Sequence, residues 1–448
     1  MVKICSDTNN TNASTTTKED EKYSLYYNEF NYQLSSFQKF AIRAIVDGHH
    51  SLSCVPTGSG KTLAAIFAID YFTRQGKKVI YTSPIKALSN QKYHEFTVKF
   101  PNLSIGLLTG DIKINPDAQV LIMTAEILQN TLYKKRIPNP NQLICHDGND
   151  GIDGIDTAAK NVGLLFEMDF ENELACVIHD EIHMINDKDR GHVWESIILL
   201  LPLHVQMVML SATLDKPERF AKWIETQWKE TKEVYLASST TRPVPLTHYS
   251  FIACPKAIFK AIGNNNETLK AEINGTINKL HVIQNANGEF NESNYFKVQN
   301  MLALFNKKNI HITRPFVMNK VCEHLVNNNM LPAVCFILSR KQIETACKEV
   351  SHVLLEDDSK IPYIVKRECE TLLRNKISNY NEYLDLPEYI NMISLLEKGI
   401  AIHHSGVIPI LREIVEILFE KGYIKLLFAT ETFSVGLNMP IKTAIFTN

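Results

Sequence analysis

Val55-Pro56-Thr57-Gly58-Ser59-Gly60-Lys61-Thr62 is the stretch on which the fold turns. An apolar run, residues 52–55, leads into it, and a helix-like run, residues 63–72, follows. That is the strand–loop–helix setting of a phosphate loop. Gly58 and Gly60 let the backbone turn tightly and bring its amides close to an anion, and the N-terminus of the next helix adds positive partial charge. Lys61 is placed to reach the β and γ phosphates of a nucleotide, and Thr62 to set its hydroxyl on Mg2+. Val55 stands where the full pattern begins with Gly, so the match covers the Gly-Lys-Thr end of the motif.

The partners of such a loop follow in order. A strand predicted over residues 174–179 ends in Asp180-Glu181-Ile182-His183. Asp180 suits the magnesium shell, and Glu181 suits a base that orients and activates a water at the γ-phosphate. His183 is spaced to face the same side as Glu181 and to couple the site to a neighbouring domain. Upstream, Tyr32, Phe37 and Gln38 lie at or before a helical run over 37–46. An aromatic ring and a Gln amide are what a protein needs to stack on adenine and read its N6/N7 edge.

Other strand ends carry small polar residues. The strand over residues 78–83 runs into Ser83-Pro84-Ile85-Lys86, the turn Thr109-Gly110-Asp111 follows Leu108, and the strand over 119–124 ends at Thr124-Ala125-Glu126. Thr124 also has the position of a helix N-cap. In open α/β sheets ligands bind at this carboxyl edge, and helix N-termini hold nucleic-acid phosphates. Further strands are predicted over 206–210, ending in Ser211-Ala212-Thr213, and over 233–237. The alternation of strands and helices from residue 50 to 237 describes one parallel α/β domain.

Around this core the boundaries are read from composition. Residues 1–22 are predicted to be a disordered tail, and 23–239 the first domain, with a flexible Asp/Gly-rich insertion at 138–160. Residues 240–330 read as a linker region with Asn-rich surface loops. A second α/β domain spans 331–448, with strands over 333–338, 400–403, 424–430 and 443–447 and a mostly helical stretch between the first two. His403-His404 reads as a polar strand end rather than a metal site, since no further ligand stands at suitable spacing.

Length and composition bound the rest. The 448 residues allow two or three domains, and 45% apolar with 21% charged residues is ordinary for a globular chain. A net charge of -2 gives no global basic field, so any nucleic acid must be held locally. Nine scattered cysteines with no C-x-x-C spacing suit a reducing, intracellular compartment, cytoplasm or nucleus. No run is apolar enough to serve as a signal peptide or membrane span, so no membrane partner is expected.

Taken together, the chain resembles superfamily 2 DExH-box helicases of the superkiller-type (Ski-like), exosome-associated group. The resemblance rests on Phe37-Gln38, VPTGSGKT (55–62), SPIKALSNQKY (83–93), TGD (109–111), MTAEIL (123–128), DEIH (180–183), SAT (211–213), FILSRKQIE (336–344), HHSG (403–406) and FATETFSVGLNMP (428–440). It implies two RecA-like domains, each a mostly parallel sheet flanked by helices, with ATP in the cleft between them. It also implies an ATP-dependent RNA helicase moving 3′ to 5′ along a single strand, or along a duplex with a 3′ overhang, within an exosome-like or RNA-decay complex.

By resemblance, Lys61, Asp180, Glu181 and His183 serve hydrolysis. Tyr32, Gln38, Pro56, Thr57, Gly58, Ser59, Gly60, Lys61, Thr62, Gly436 and Asn438 hold ATP, and Thr62 with Asp180 holds Mg2+. Ser83, Pro84, Lys86, Thr109, Gly110, Thr124, Glu126, Ser339, Arg340 and Thr430 match motifs that hold the RNA backbone. Two departures stand out. The loop reads Thr-Gly-Ser-Gly-Lys-Thr where relatives often have Thr-Ser-Ala-Gly-Lys-Thr. The family's Gln-x-x-Gly-Arg-x-Gly-Arg motif, whose arginines meet the transferring phosphoryl group, does not occur before Asn448. A fragment or one half of a split gene is therefore expected, and with it a poorly active nucleotide- or RNA-binding module as the alternative. A DNA helicase is the third reading.

Overall fold

In a computed structural model the described residues are 2–6, 18–136, 166–212, 214–228, 231–239, 241–255, 258–259, 267–355, 360–377, 379–434 and 439–447. The insertion at 138–160, Thr213, Gly436 and Asn438 lie outside them. The chain divides into two compact units, 1–244 and 245–448.

The first unit is built on a nine-stranded sheet: β1 (Lys3–Ser6), β2 (His50–Cys54), β3 (Lys78–Ser83), β4 (Ile105–Leu108), β5 (Lys113–Ile114), β6 (Val120–Thr124), β7 (Leu174–His179), β8 (Gln206–Ser211) and β9 (Val234–Ser238). Their spatial order is β1-β9-β2-β8-β7-β3-β6-β4-β5, parallel throughout except that β5 runs against β4. The central strands are buried on both faces, as parallel strands covered by helices must be. Successive residues therefore feed opposite layers. Ile80, Val177, Met207 and Met209 join Trp194 and Trp228 on one side, while Val79, Tyr81, Cys176, Ile178, Val208 and Leu210 join Ile42, Phe67 and Ile69 on the other.

The flanking helices are α1 (Lys18–Tyr27), α2 (Ser36–Val46), α3 (Thr62–Arg74), α4 (Lys86–Lys99), α5 (Ala125–Arg136), α6 (Gly191–Leu200) and α7 (Pro217–Gln227). Strand register then sets the functional edge. Cys54 pairs with Ser211, Met209 with His179, His179 with Thr82, and Ser83 with Thr124. The carboxyl ends of β2, β8, β7, β3 and β6 thus finish side by side. Val55, Ser211, Asp180, Ser83 and Thr124 stand along one edge although they are scattered over the sequence.

Two expectations change here. Residues 3–6 are not part of an unstructured tail: they form β1 at the sheet's edge, parallel to β9. Lys3 ties β1 down through Glu233 at 2.8 Å and the Tyr235 hydroxyl at 2.7 Å. Helical order also begins earlier, at Lys18 rather than Tyr23.

The region read as a linker is instead a packed structure. An antiparallel pair, β10 (His248–Phe251) and β11 (Leu280–Gln284), accompanies α8 (Glu267–Thr276), α9 (Glu292–Lys307) and α10 (Arg314–Asn327). Ile252, Ile273, Ile277, Val298, Met301 and Phe305 form a core of their own. Val298, Met301 and Phe305 recur at helical spacing, a signal masked by the Asn-rich surface around them.

The second unit's parallel sheet has the order β13-β14-β12-β15, from β12 (Ala333–Phe336), β13 (Ile400–His403), β14 (Leu426–Ala429) and β15 (Thr443–Phe446). Its helices include α11 (Arg340–Glu349), α12 (Ile361–Lys376), α13 (Tyr380–Leu384), α14 (Pro387–Leu396) and α15 (Pro409–Glu420). No helix among the described residues is long and apolar enough to cross a membrane.

Candidate nucleotide site and strand-end surface

The loop after β2 has the backbone its sequence demands. Gly58 and Gly60 take φ of 87° and 83°, which side chains with a Cβ rarely adopt. The Ser59 amide and hydroxyl both donate to the Pro56 carbonyl, at 3.3 and 2.8 Å, closing the turn over buried Pro56 and leaving Thr57 exposed. The Val55 amide donates to Ser211 O at 3.1 Å, which anchors the loop's root on β8. Lys61 is the N-cap of α3 and Thr62 its first residue; the Leu63 and Ala64 amides donate to the Gly60 and Lys61 carbonyls at 3.1 and 3.3 Å, and the positive end of the helix faces the loop.

Gln38 sits in the first turn of α2, where its Oε1 accepts the Ser35 amide at 2.9 Å. Its Nε2 donates to the Gly60 carbonyl at 3.2 Å. A Cβ at Gly60 would lie 2.8 Å from that Nε2 and would displace the Gln38 amide, on top of the strain its positive φ imposes on any side chain. One N–H and one lone pair of the amide remain for a ligand. Tyr32 is 59% exposed, edge-on to Phe30 at 5.9 Å between ring centres, with a face free to stack. It lines a cavity of about 430 Å3 together with Leu63, Phe67 and Asp70 of α3. Gln38→Ala is expected to weaken ATP binding by roughly 5- to 30-fold, from one or two hydrogen bonds of about 1 kcal/mol each. Titration with ATP checks this. An unchanged affinity would leave Gln38 as a helix cap alone.

The acids follow β7. Asp180 is buried and held from two sides: the Tyr81 hydroxyl makes a short hydrogen bond to Oδ2, and the Glu181 amide donates to Oδ1 at 3.0 Å. Tyr81 is fully buried, and its burial together with Asp180 keeps the phenol protonated. Glu181 has φ of 51°, an uncommon conformation for Glu that turns its side chain toward the phosphate loop. Its Oε2 lies 3.7 Å from Lys61 Nζ and 3.3 Å from His183 Nδ1. All three atoms are buried with no hydrogen-bond partner within the protein. Burial pushes the Glu181 carboxyl above the usual carboxylate range, against the opposing pull of Lys61. Burial, and then Lys61, lower the His183 pKa, so the imidazole is neutral at pH 7.

Three buried polar atoms without hydrogen-bond partners, beside a glycine-bearing turn at a helix N-terminus, describe a place for an anion, a water and their counter-ion. The groups present fit a triphosphate with Mg2+. Lys61 and the α3 N-terminus offer positive charge, while Asp180 and the Thr62 hydroxyl offer the oxygen ligands that Mg2+ prefers.

Along the same edge, the strand-end residues divide into two kinds. Ser83 is fully buried, and its hydroxyl is 2.6 Å from that of Ser89. The Thr109 hydroxyl donates to Asp111 at 2.9 Å and accepts the Ile112 amide at 3.2 Å. These side chains shape their loops and do not reach outward. Lys86 Nζ pairs with Asp111 at 2.9 Å beside exposed Gly110, which joins the loops after β3 and β4. Thr124, at the end of β6, is buried. The Glu126 carboxylate is taken by Arg190, whose Nη2 is 2.5 Å from Oε1 and 2.5 Å from the Pro84 carbonyl. Glu126 is therefore a strut rather than a free contact.

In the second unit, Ser339 caps α11 and Arg340 opens it. Phe336 pairs with Ala429, and Ala429 with His403, so Arg340, His403-Gly406 and Thr430 all follow one strand edge. Thr430 N–H donates to His403 O at 3.3 Å. His403 Nε2 lies 2.6 Å from Glu416, and His404 Nδ1 accepts the Gly406 amide at 3.1 Å.

Tyr81 and Arg190 escaped sequence inspection. Tyr81 reads as one more apolar strand residue, and Arg190 as a surface charge before a helix. Only the parallel register of β3 with β7 and with β6 shows what each one holds.

Comparison with known proteins agrees with this geometry. The family described as DEAD/DEAH box helicase matches residues 35–220. The antiviral helicase SKI2 of Saccharomyces cerevisiae is 34% identical over 93% of this chain and 32% of its own length. The exosome RNA helicase MTR4 of Homo sapiens is 35% identical over 94% and 35%, and the DExH-box ATP-dependent RNA helicase DExH9 of Arabidopsis thaliana is 33% identical over 94% and 38%. The chain thus spans about a third of the length of these relatives. Residues 35–220 thus match the DEAD/DEAH box helicase domain, and the chain is similar, over more than nine-tenths of its length, to Ski2- and Mtr4-type DExH RNA helicases.

Proposed function

We propose that this chain is the ATP- and RNA-binding core of an ATP-dependent RNA helicase, which translocates 3′ to 5′ on single-stranded RNA or on a duplex with a 3′ overhang. The observation that carries the reading is the convergence of Lys61 Nζ, Glu181 Oε2 and His183 Nδ1, buried and without a hydrogen-bond partner, at the phosphate loop. Lys61 and the loop amides bind the phosphates, Tyr32 and Gln38 take the adenine, and Thr62 with Asp180 hold Mg2+. When bound, Mg2+ neutralises charge on the phosphates. Glu181 takes the proton of the attacking water, and neutral His183 fixes the direction of its carboxylate.

The β3–α4 connection, the loop after β4 and the first turn of α5 present backbone amides, Lys86 and Gly110 to the RNA backbone. In the second unit Ser339, Arg340 and Thr430 do the same. Gly436 and Asn438 enter as nucleotide contacts on the sequence match alone. The names of SKI2 and MTR4 relatives, antiviral helicase and exosome RNA helicase, favour an RNA-processing or decay complex as partner and an intracellular site of action. The test is ATP turnover, by a full-length protein that carries the arginine motif, with and without single-stranded RNA and with DNA of the same sequence as competitor. RNA-stimulated turnover that DNA does not compete away is expected. Stimulation by DNA alone, or no nucleotide binding at millimolar ATP, would overturn the reading.

A further inference from the structure

Residues 181–190 form a strap between the hydrolytic acids and the strand-end loops. The Met184 amide donates to Glu181 O at 3.0 Å, and the Asp187 amide to Met184 O at 3.0 Å. Asp187 Oδ1 accepts the amides of Asp189 and Arg190 at 3.0 and 2.8 Å, and the Gly191 amide closes on Asp187 O at 2.9 Å. A Cβ at Gly191 would lie 2.2 Å from Ile185 O, so the fold-back tolerates no side chain there. Local hydrogen bonds therefore run from the base at one end to Arg190 at the other.

Arg190 is the strap's only charged reach across to the strand-end loops among the described residues. Its Nη2 bridges the Pro84 carbonyl and Glu126 Oε1, its Nε lies 3.1 Å from the same oxygen, and its guanidinium lies over Trp194 at 5.6 Å. Pro84 follows Ser83 and Glu126 lies two residues past Thr124, and Ser83 and Thr124 are register partners. One planar fork thus clamps the β3–α4 connection and the first turn of α5 to the segment that carries Glu181. A planar guanidinium can serve a carbonyl and a carboxylate together, which a single ammonium does less well. The pair is half-exposed, so its worth as a surface salt bridge is small. Its placement is what distinguishes it.

We propose that Arg190 is a positioning residue that couples RNA binding at the β3–α4 connection and the first turn of α5 to the nucleotide site. The proposal rests on the helicase reading above. RNA that holds Pro84 and Glu126 in their clamped arrangement also holds the strap, and through it Glu181 and His183 beside the phosphate loop. Coupling of this kind is reciprocal, so it is measurable without turnover.

The experiment is binding of a labelled single-stranded RNA to the full chain, with and without a non-hydrolysable ATP analogue and Mg2+. A coupling factor of roughly 5- to 150-fold is the usual range for such linked sites. Arg190→Gln is expected to bring the factor to within about twofold of unity. RNA affinity without nucleotide and nucleotide affinity without RNA should each move less than about threefold. Arg190→Lys, which serves one partner at a time, should recover only part of the factor. A purely structural role would lower both affinities and leave their ratio in place, and that result would overturn the proposal, as would an unchanged factor in Arg190→Gln. A parent chain that binds no RNA overturns the helicase reading and the proposal with it, whereas a coupled parent with a coupled variant overturns the proposal alone.

Discussion

In a full-length protein that carries the arginine motif, Glu181→Gln is expected to bind ATP within about threefold of the parent affinity and to lose roughly 10² to 10⁴ of the RNA-stimulated hydrolysis rate, the range for removal of a general base. The substitution keeps the size of the side chain and one oxygen, so the αL backbone and the Asp180 contacts survive. What it removes is the proton acceptor. The sign of the pH dependence follows from burial. Because burial raises the Glu181 pKa, the carboxylate is protonated at a higher pH than an ordinary glutamate. Hydrolysis is therefore lost as pH falls through that raised value and is full above it. The His183 pKa is lowered by burial and by Lys61, so its own titration moves to lower pH, away from neutrality. In Glu181→Gln the residual rate should lack this acid limb. A mutant with parent turnover, or one that keeps the limb at reduced rate, would show that another group takes the proton.

How far such a site is legible in a sequence depends on how local its parts are. The phosphate loop is eight consecutive residues, and the acids are adjacent at a strand end, so hydrophobic runs and spacing suffice to find them. The supports are different. Tyr81 meets Asp180 across 99 positions and Gln38 meets Gly60 across 22, and no local pattern encodes either pair. Arg190 reaches Pro84 across 106 positions. These contacts exist because parallel register brings strand ends together. The same distance effect misleads about Ser83 and Thr109. Hydroxyls at strand ends look available to a ligand, yet both are consumed within their own loops. At the N-terminus, four residues are too few to show a period, and β1 exists only because β9 offers it an edge. In the 245–330 stretch the helical spacing of Val298, Met301 and Phe305 was present, but the polar Asn-rich composition outweighed it.

Lys61→Ala is expected to weaken ATP binding by roughly 10- to 150-fold, the equivalent of about 1.5–3 kcal/mol for a hydrogen bond to a charged group. The fold should stay intact. Lys61 lies at the N-cap of α3, where it makes no side-chain capping bond, and its buried ammonium has no hydrogen-bond partner in the protein. Its attraction to Glu181 acts over 3.7 Å without a hydrogen bond, so little structural order rests on it. A phosphate oxygen is the partner that this buried charge lacks. The loss should therefore be larger for ATP than for AMP, because AMP places no phosphate at the β and γ positions, while Tyr32 and Gln38 still hold the adenine of both. Removing the ammonium also deprives Glu181 of its nearest cation, which raises the carboxyl pKa further and shifts the acid limb of any residual hydrolysis upward. Calorimetric titration with ATP and AMP, beside circular dichroism and melting of parent and mutant, checks each part. Equal losses for the two nucleotides would place Lys61 away from the outer phosphates. An unchanged ATP affinity in a folded mutant would remove the phosphate loop from nucleotide binding altogether.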